Sequence, residues 1–228
     1  MKPTELDEIH RHFLGALAND ANPPSNVALF WHEAVSVKRD AEAPDAITRG
    51  PTWLKYYDGP SMVRDVSGLD FPEDKLPFAV CEKLIKQGAA TYEGPRRISF
   101  RYDRRGEAWA GGYSVETSQQ YRDLVLGRAA IDTRLIEALR AQWDEGVTRV
   151  GLLYGVHGWK EWGPKLKRSK GFKGELSDPP PAILAAWNDL VVYMKSNGVK
   201  HLYYADIAID KASAKVREGE GIQLRYDR

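Results

Sequence analysis

The chain holds one cysteine, Cys81, in 228 residues, which excludes an intramolecular disulfide and any zinc site built mainly from thiolates. It has no apolar run near the roughly 18 residues that span a bilayer as a helix. Its opening, Met1-Lys2-Pro3-Thr4-Glu5, lacks the apolar core of a signal peptide. With a lone thiol and no export signal, the expected compartment is cytoplasmic, with no membrane partner. An excess of either charge is missing as well, since 33 Lys and Arg stand against 32 Asp and Glu, and no net field announces a nucleic-acid or membrane surface. The charge is uneven along the chain: residues 1–95 carry 10 basic and 15 acidic side chains, residues 96–228 carry 23 and 17.

Catalytic signatures are also lacking. There is no phosphate-binding glycine loop, no nucleophile elbow, no paired-histidine zinc motif and no Cys-His signature. His10 and His12 stand two apart on a helical pattern, where they diverge, and His157 and His201 are isolated in sequence. No cofactor and no metal site are expected.

What the chain does have is a 43% hydrophobic content, enough for a substantial core, and one clear organising stretch from Arg97 to Val115. Ile98, Phe100 and Tyr102 alternate with Arg97, Ser99, Arg101 and Asp103, the period of a pleated strand. Trp109, Tyr113 and Val115 alternate with Ala108, Ala110, Gly112 and Ser114. Asp103-Arg104-Arg105-Gly106 between them has the chemistry of a short hairpin loop with a bulge. The aromatic face is expected inside, with Arg97 and Arg101 above small residues on the other.

Around this hairpin the elements follow from periodicity. Leu6, Ile9, Phe13 and Leu17 form a helical stripe, and Val27–Val37 alternates as a long strand, central in its sheet because both faces are partly apolar. Between Asp40 and Asp74 only one or two short strands are expected. A helix runs from Asp74 to Gly88. From Tyr121 to Trp143 a helical phase runs as one long helix or two broken near Gly127. Val147–Val156 reads as a buried strand, Asp178-Pro179-Pro180-Pro181 opens the last helix, which Asn197-Gly198 stops, and Val199–Ile209 with Ile222–Tyr226 reads as a final hairpin. Two look-alike pairs, 99–104 with 223–228 and 26–41 with 198–213, raise a duplication, but their separations of 124 and 172 residues disagree. The fold class is α+β: a largely antiparallel sheet of hairpins with four to five helices packed on it. It forms a single domain over 1–228, or two lobes divided near 95–117.

Two candidate sites emerge. The stretch His157–Gly174 reads as a long loop in which Lys160, Lys165, Lys167, Arg168, Lys170 and Lys173 sit among Trp159, Trp162 and Phe172 with one acid, Glu161. Cations attract phosphates and flat rings stack on bases, so a polyanion or single-stranded nucleic acid fits it; the bland alternative is a solvated basic loop whose tryptophans tuck back onto the core. Glu33, beside His32 and on the apolar parity of its strand, is a weak candidate for acid–base chemistry, or else a satisfied buried carboxylate. The leading functional expectation is an interaction protein, an inhibitor, adaptor or toxin-neutralising immunity-type protein. It would bind a protein partner through a sheet edge, the face bearing Arg97 and Arg101, and the basic aromatic stretch. The alternatives are an enzyme using a Glu/His/Arg site, and a nucleic-acid binder using residues 157–174.

Overall fold

A computed structural model describes residues 3–19, 27–33, 35–36, 47–48, 53–58, 61–65, 80–81, 83–85, 93–157, 160–170, 173–210 and 222–228. Its contacts divide the chain into two units, Met1–Arg122 and Asp123–Arg228. Residues 95–117 form one continuous hairpin inside the first. All strand pairing is antiparallel, and helices accompany it in an α+β architecture.

In the first unit, helix α1 (Pro3–Asn19) turns Leu6, Ile9, Phe13 and Leu17 inward, each at most 6% exposed, because spacings of three and four keep them on one face. They meet Ile98, Phe100 and Tyr102, with Cys81, Leu84 and Ile85 from the helical residues 80–81 and 83–85 completing the cluster. Phe13 lies 5.1 Å from Phe100, ring to ring. The strands are β1 (Val27–Glu33), β2 (Val35–Ser36), β3 (Ile47–Thr48), β4 (Trp53–Asp58), β5 (Ser61–Asp65), β6 (Pro95–Arg105) and β7 (Ala108–Thr117). Five of them make a sheet ordered β5-β4-β1-β6-β7, with β1 in the middle as its two-sided apolar pattern predicts. The expected strand stops at Glu33, and Val35–Ser36 pairs instead with β3.

The β6–β7 turn is tighter than its sequence suggests. Pairing persists to Arg105 opposite Ala108, leaving only Gly106 and Glu107 to turn the chain. Gly106 takes φ 65° and Glu107 does not go positive, the pattern of a type II′ turn with glycine at its first central position. Thr117 then ends β7 and caps the next helix reciprocally. Its N–H donates to Gln120 Oε1 at 2.9 Å, and the Gln120 N–H donates to Thr117 Oγ1 at 3.2 Å.

That helix, α2 (Ser118–Gly127), and α3 (Ala129–Arg140) are separated only at Arg128, so the helical phase is broken where Gly127 stands. A side chain at Gly127 would run into the Tyr193 hydroxyl, 2.1 Å from where its Cβ would lie. In the second unit, β8 (Arg149–His157), β9 (Lys160–Lys170), β10 (Lys173–Ser177), α4 (Pro181–Ser196), β11 (His201–Asp210) and β12 (Ile222–Asp227) follow. The sheet is ordered β10-β9-β8-β11-β12. Leu135 and Leu139 of α3, together with Ile183, Trp187, Leu190 and Met194 of α4, pack on Val150, Leu152, Ala205, Ile207 and Ile209.

Both units thus run helix, three strands of one sheet, helix, two strands, and both sheets take the order third, second, first, fourth, fifth, with β2 and β3 as an extra ribbon in the first. The registers correspond. Leu54, Phe30, Phe100 and Tyr113 stand in one cross-strand row of the first sheet, and Leu166, Leu152, Ile207 and Ile222 in the matching row of the second. The look-alikes in the sequence are not the equivalent pieces: 99–104 lies on β6 but 223–228 on β12, and 26–41 includes β1 whereas 198–213 includes β11. Short alternating strands resemble one another wherever they occur, so their likeness does not mark position.

Candidate functional site

The stretch 157–174 is not a long loop. Lys160–Lys170 is β9, paired along most of its length with β8, and Lys173–Ser177 is β10, paired with β9. On the core-facing parity of β9, Pro164, Leu166, Arg168 and Lys170 offer one fully apolar residue, which is why alternation fails to reveal the strand. Leu166 alone is buried in the cluster, at 2% exposed. Trp159 lies outside the described residues; Lys160 and Trp162 are placed as backbone positions of β9.

The cations of β9 divide into two kinds. Lys165 Nζ donates to Asp178 Oδ1 at 2.5 Å, and the lysine, by hydrogen bond and charge, draws the Asp178 carboxyl below its ordinary value. Arg168 Nη1 donates to Asp144 Oδ2 at 3.1 Å. Among the described residues Lys167 and Lys170 have no acidic partner. On the neighbouring strand Gly174, Glu175, Leu176 and Ser177 are all exposed, and nothing described pairs with the far side of β10.

On the hairpin of the first unit, Arg97 and Arg101 meet different fates. The close turn at Gly106 sets the register so that Arg97 opposes Glu116. The two form an ion pair at 3.5 Å with side chains 7% and 2% exposed. A buried guanidinium needs such a carboxylate, since an uncompensated charge there costs several kcal/mol. Next in the ladder, Ser99 Oγ and Ser114 Oγ share a hydrogen bond of 2.8 Å. Arg101 opposes Gly112 and donates from Nη2 to Asp103 Oδ1 at 2.7 Å, its side chain 21% exposed. On β1, Glu33 occupies the register position opposite Arg97, and His32 the one opposite Ile98. Their side chains fall outside the described residues. Glu33, Arg97 and Glu116 therefore form one row across three strands, on the parity opposite to Ile98, Phe100 and Tyr102.

The aromatic face carries its own polar contacts. His10 Nδ1 and the Tyr102 hydroxyl lie 3.0 Å apart with their rings stacked, and burial pushes the Tyr102 phenol up. The Tyr113 hydroxyl donates to Asp7 Oδ1 at 3.0 Å. In the second unit Arg128 Nε donates to Asp132 Oδ2 at 2.9 Å. Burial raises the Asp132 carboxyl and Arg128 works against that shift.

The residues missed from the sequence are Glu116, Asp144, Asp178 and Leu176. Glu116 meets Arg97 only through the two-residue turn at Gly106, where the sequence suggests a longer loop, and the two aspartates meet their cations only through the pairing of β9. Among the described residues no three His, Cys, Asp or Glu side chains gather as a metal site, and no helix is long and apolar enough to cross a membrane. Comparison of the chain with protein-family models, with curated proteins and with solved structures gives no match in any of the three.

Proposed function

We propose that this chain binds a protein partner, in the manner of an inhibitor, an adaptor or a toxin-neutralising immunity-type protein. The observation that carries this reading is one edge strand of each five-stranded sheet, β7 and β10, with no further strand paired to it among the described residues. β7 ends the first sheet with Ala108, Ala110, Gly111 and Gly112 exposed, and from Ala108 to Val115 it has neither a charge nor a proline. β10, shorter and carrying Lys173 and Glu175, ends the second sheet with Leu176 43% exposed. Free edges are normally blunted by lysine, proline or a bulge, because their unpaired backbone groups recruit other strands. β7 lacks such blunting from Ala108 to Val115, and an edge of this kind is suited to partner recognition by strand addition.

The composition agrees with such a surface. Seven Trp and 11 Tyr supply the residue types enriched at interface hot spots, and Arg101 stands beside the open notch at Gly112. Co-purification of the tagged chain from its native host, followed by mass spectrometry and measurement of stoichiometry, tests the reading. A protein recovered in fixed ratio to the chain is expected, and its repeated absence at low salt counts against the proposal.

A further inference from the structure

We infer that the open edge of β10 takes an extended acidic segment of the partner protein as a sixth strand of the second sheet, with Lys167 holding a carboxylate beside Gly174. The inference rests on the protein-binding reading above and names the partner's chemistry. Three observations carry it.

The first is the ladder. On one face of the β9–β10 hairpin, Gly174 opposes Ser169 and Leu176 opposes Lys167. The second is the path of the Lys167 side chain. A Cβ built on Gly174 would stand 2.9 Å from Lys167 Cε and 3.1 Å from Ser169 Oγ. The lysine stem therefore runs diagonally across the glycine, toward the rim of the sheet, instead of staying beside its own cross-strand neighbour Leu176. Only a residue without a side chain at 174 leaves that path open. The third is charge. Lys165 and Arg168 are tied to Asp178 and Asp144, whereas Lys167 has no acidic partner among the described residues, and Lys170 on the opposite face is likewise unpaired and exposed.

An added strand lies about 4.8 Å beyond β10, within reach of an ammonium already carried over Gly174. The residue of that strand opposite Gly174 is then an Asp or Glu. The residue two places along, opposite the exposed Leu176 and on the same face, is apolar. The strand's backbone satisfies the outward N–H and C=O groups of residues 173–177, which a nucleic acid has no matching ladder to do.

The test uses the full chain and a fluorescein-labelled, end-blocked peptide, Thr-Glu-Thr-Val-Thr-Glu-Thr, whose acid–x–apolar spacing reads the same in both directions. Anisotropy at low ionic strength is expected to show saturable binding. Replacing both Glu by Gln, or Lys167→Gln in the protein, should weaken it about tenfold, the loss of one charge-assisted contact. N-methylating alternate peptide residues should abolish binding in one phase and spare it in the other, because only every second N–H of an added strand faces the ladder.

Equal sensitivity to both methylation phases, equal binding of the Gln peptide, or binding of oligothymidylate in preference to the acidic peptide each overturns the inference. Failure of the peptide while a stoichiometric protein is still recovered from the host sinks the β10 mode alone and leaves the protein-binding reading standing.

Discussion

The two units share one order of elements and one order of strands, yet they are filled differently. Among the described residues the first buries three rings, Phe13, Phe100 and Tyr102, and a thiol among aliphatic side chains, whereas the second buries two, Trp187 and Tyr226, in a larger aliphatic cluster. Three residues along from the matching apolar rows, the first sheet has Glu33, Arg97 and Glu116, and the second has Gly155, Tyr204 and Arg225 at the corresponding register positions. The same backbone therefore carries an ion pair, Arg97 with Glu116, in one copy of the topology and a tyrosine and an arginine, Tyr204 and Arg225, at the matching positions of the other. Strand order answers to apolar periodicity alone, and polar content can vary on the remaining parity without changing it.

The largest effect that separates the units is expected in their cores. Trp187 is 3% exposed and its ring centroid lies 4.9 Å from that of Tyr154, so Trp187→Ala should cost about 3–5 kcal/mol, as should Phe100→Ala in the first unit. Denaturant unfolding followed by probes placed in each unit shows whether each variant lowers its own transition. A loss under about 1 kcal/mol for either would show that its ring is not a core element.

Next in size is the buried pair. Glu116→Leu removes the carboxylate that faces the buried Arg97 guanidinium and should destabilise by about 3 kcal/mol, while the double variant Arg97→Met, Glu116→Leu should recover most of that loss. If the single and double variants unfold alike, the pair is not what the Arg97 row depends on.

A smaller contrast concerns alkali. Burial pushes the Cys81 thiol from its ordinary 9.0 up to about 12 and raises the Tyr102 phenol in the same direction. Both groups ionise more readily unfolded than folded, so their contribution is complete below pH 9 and is lost as pH rises toward the folded value of Cys81. Stability of the first unit should fall through that window, and Cys81→Val should flatten the slope; an unchanged slope refutes the assignment. The smallest effect is expected on β9. Lys165, Lys167, Arg168 and Lys170 changed together to Ser should alter stability by less than about 1 kcal/mol, while weakening an acidic partner in a salt-dependent way.

How much of this was legible from sequence depends on how many positions of an element speak. Arg97–Val115 reads plainly as a hairpin because apolar and polar residues alternate for most of its two arms, and α4 because its apolar stripe is uninterrupted. β9 is opaque, because Arg168 and Lys170 share the parity of buried Leu166, and a strand near the sheet's rim needs only one buried anchor. The site is less legible than the fold. Nothing local marks Glu116 as the partner of Arg97, or Gly174 as the gap that Lys167 crosses, since both relations exist only after register is set. The repeated topology was hidden for a related reason: the matching rows share register position and apolar or aromatic character, not residue identity.

The closure of each sheet within its own unit bears on how the chain emerges from the ribosome. Every strand of the first sheet lies within residues 27–117, so none waits for a partner made later. At about 5–20 residues per second, the rest of the chain takes on the order of 5–20 s to synthesise. Antiparallel sheets of this kind form in roughly milliseconds to seconds. The first unit thus has time to bury its rings and its thiol before the strands of the second exist to compete for its edges, a safeguard in a chain whose two halves use the same strand order.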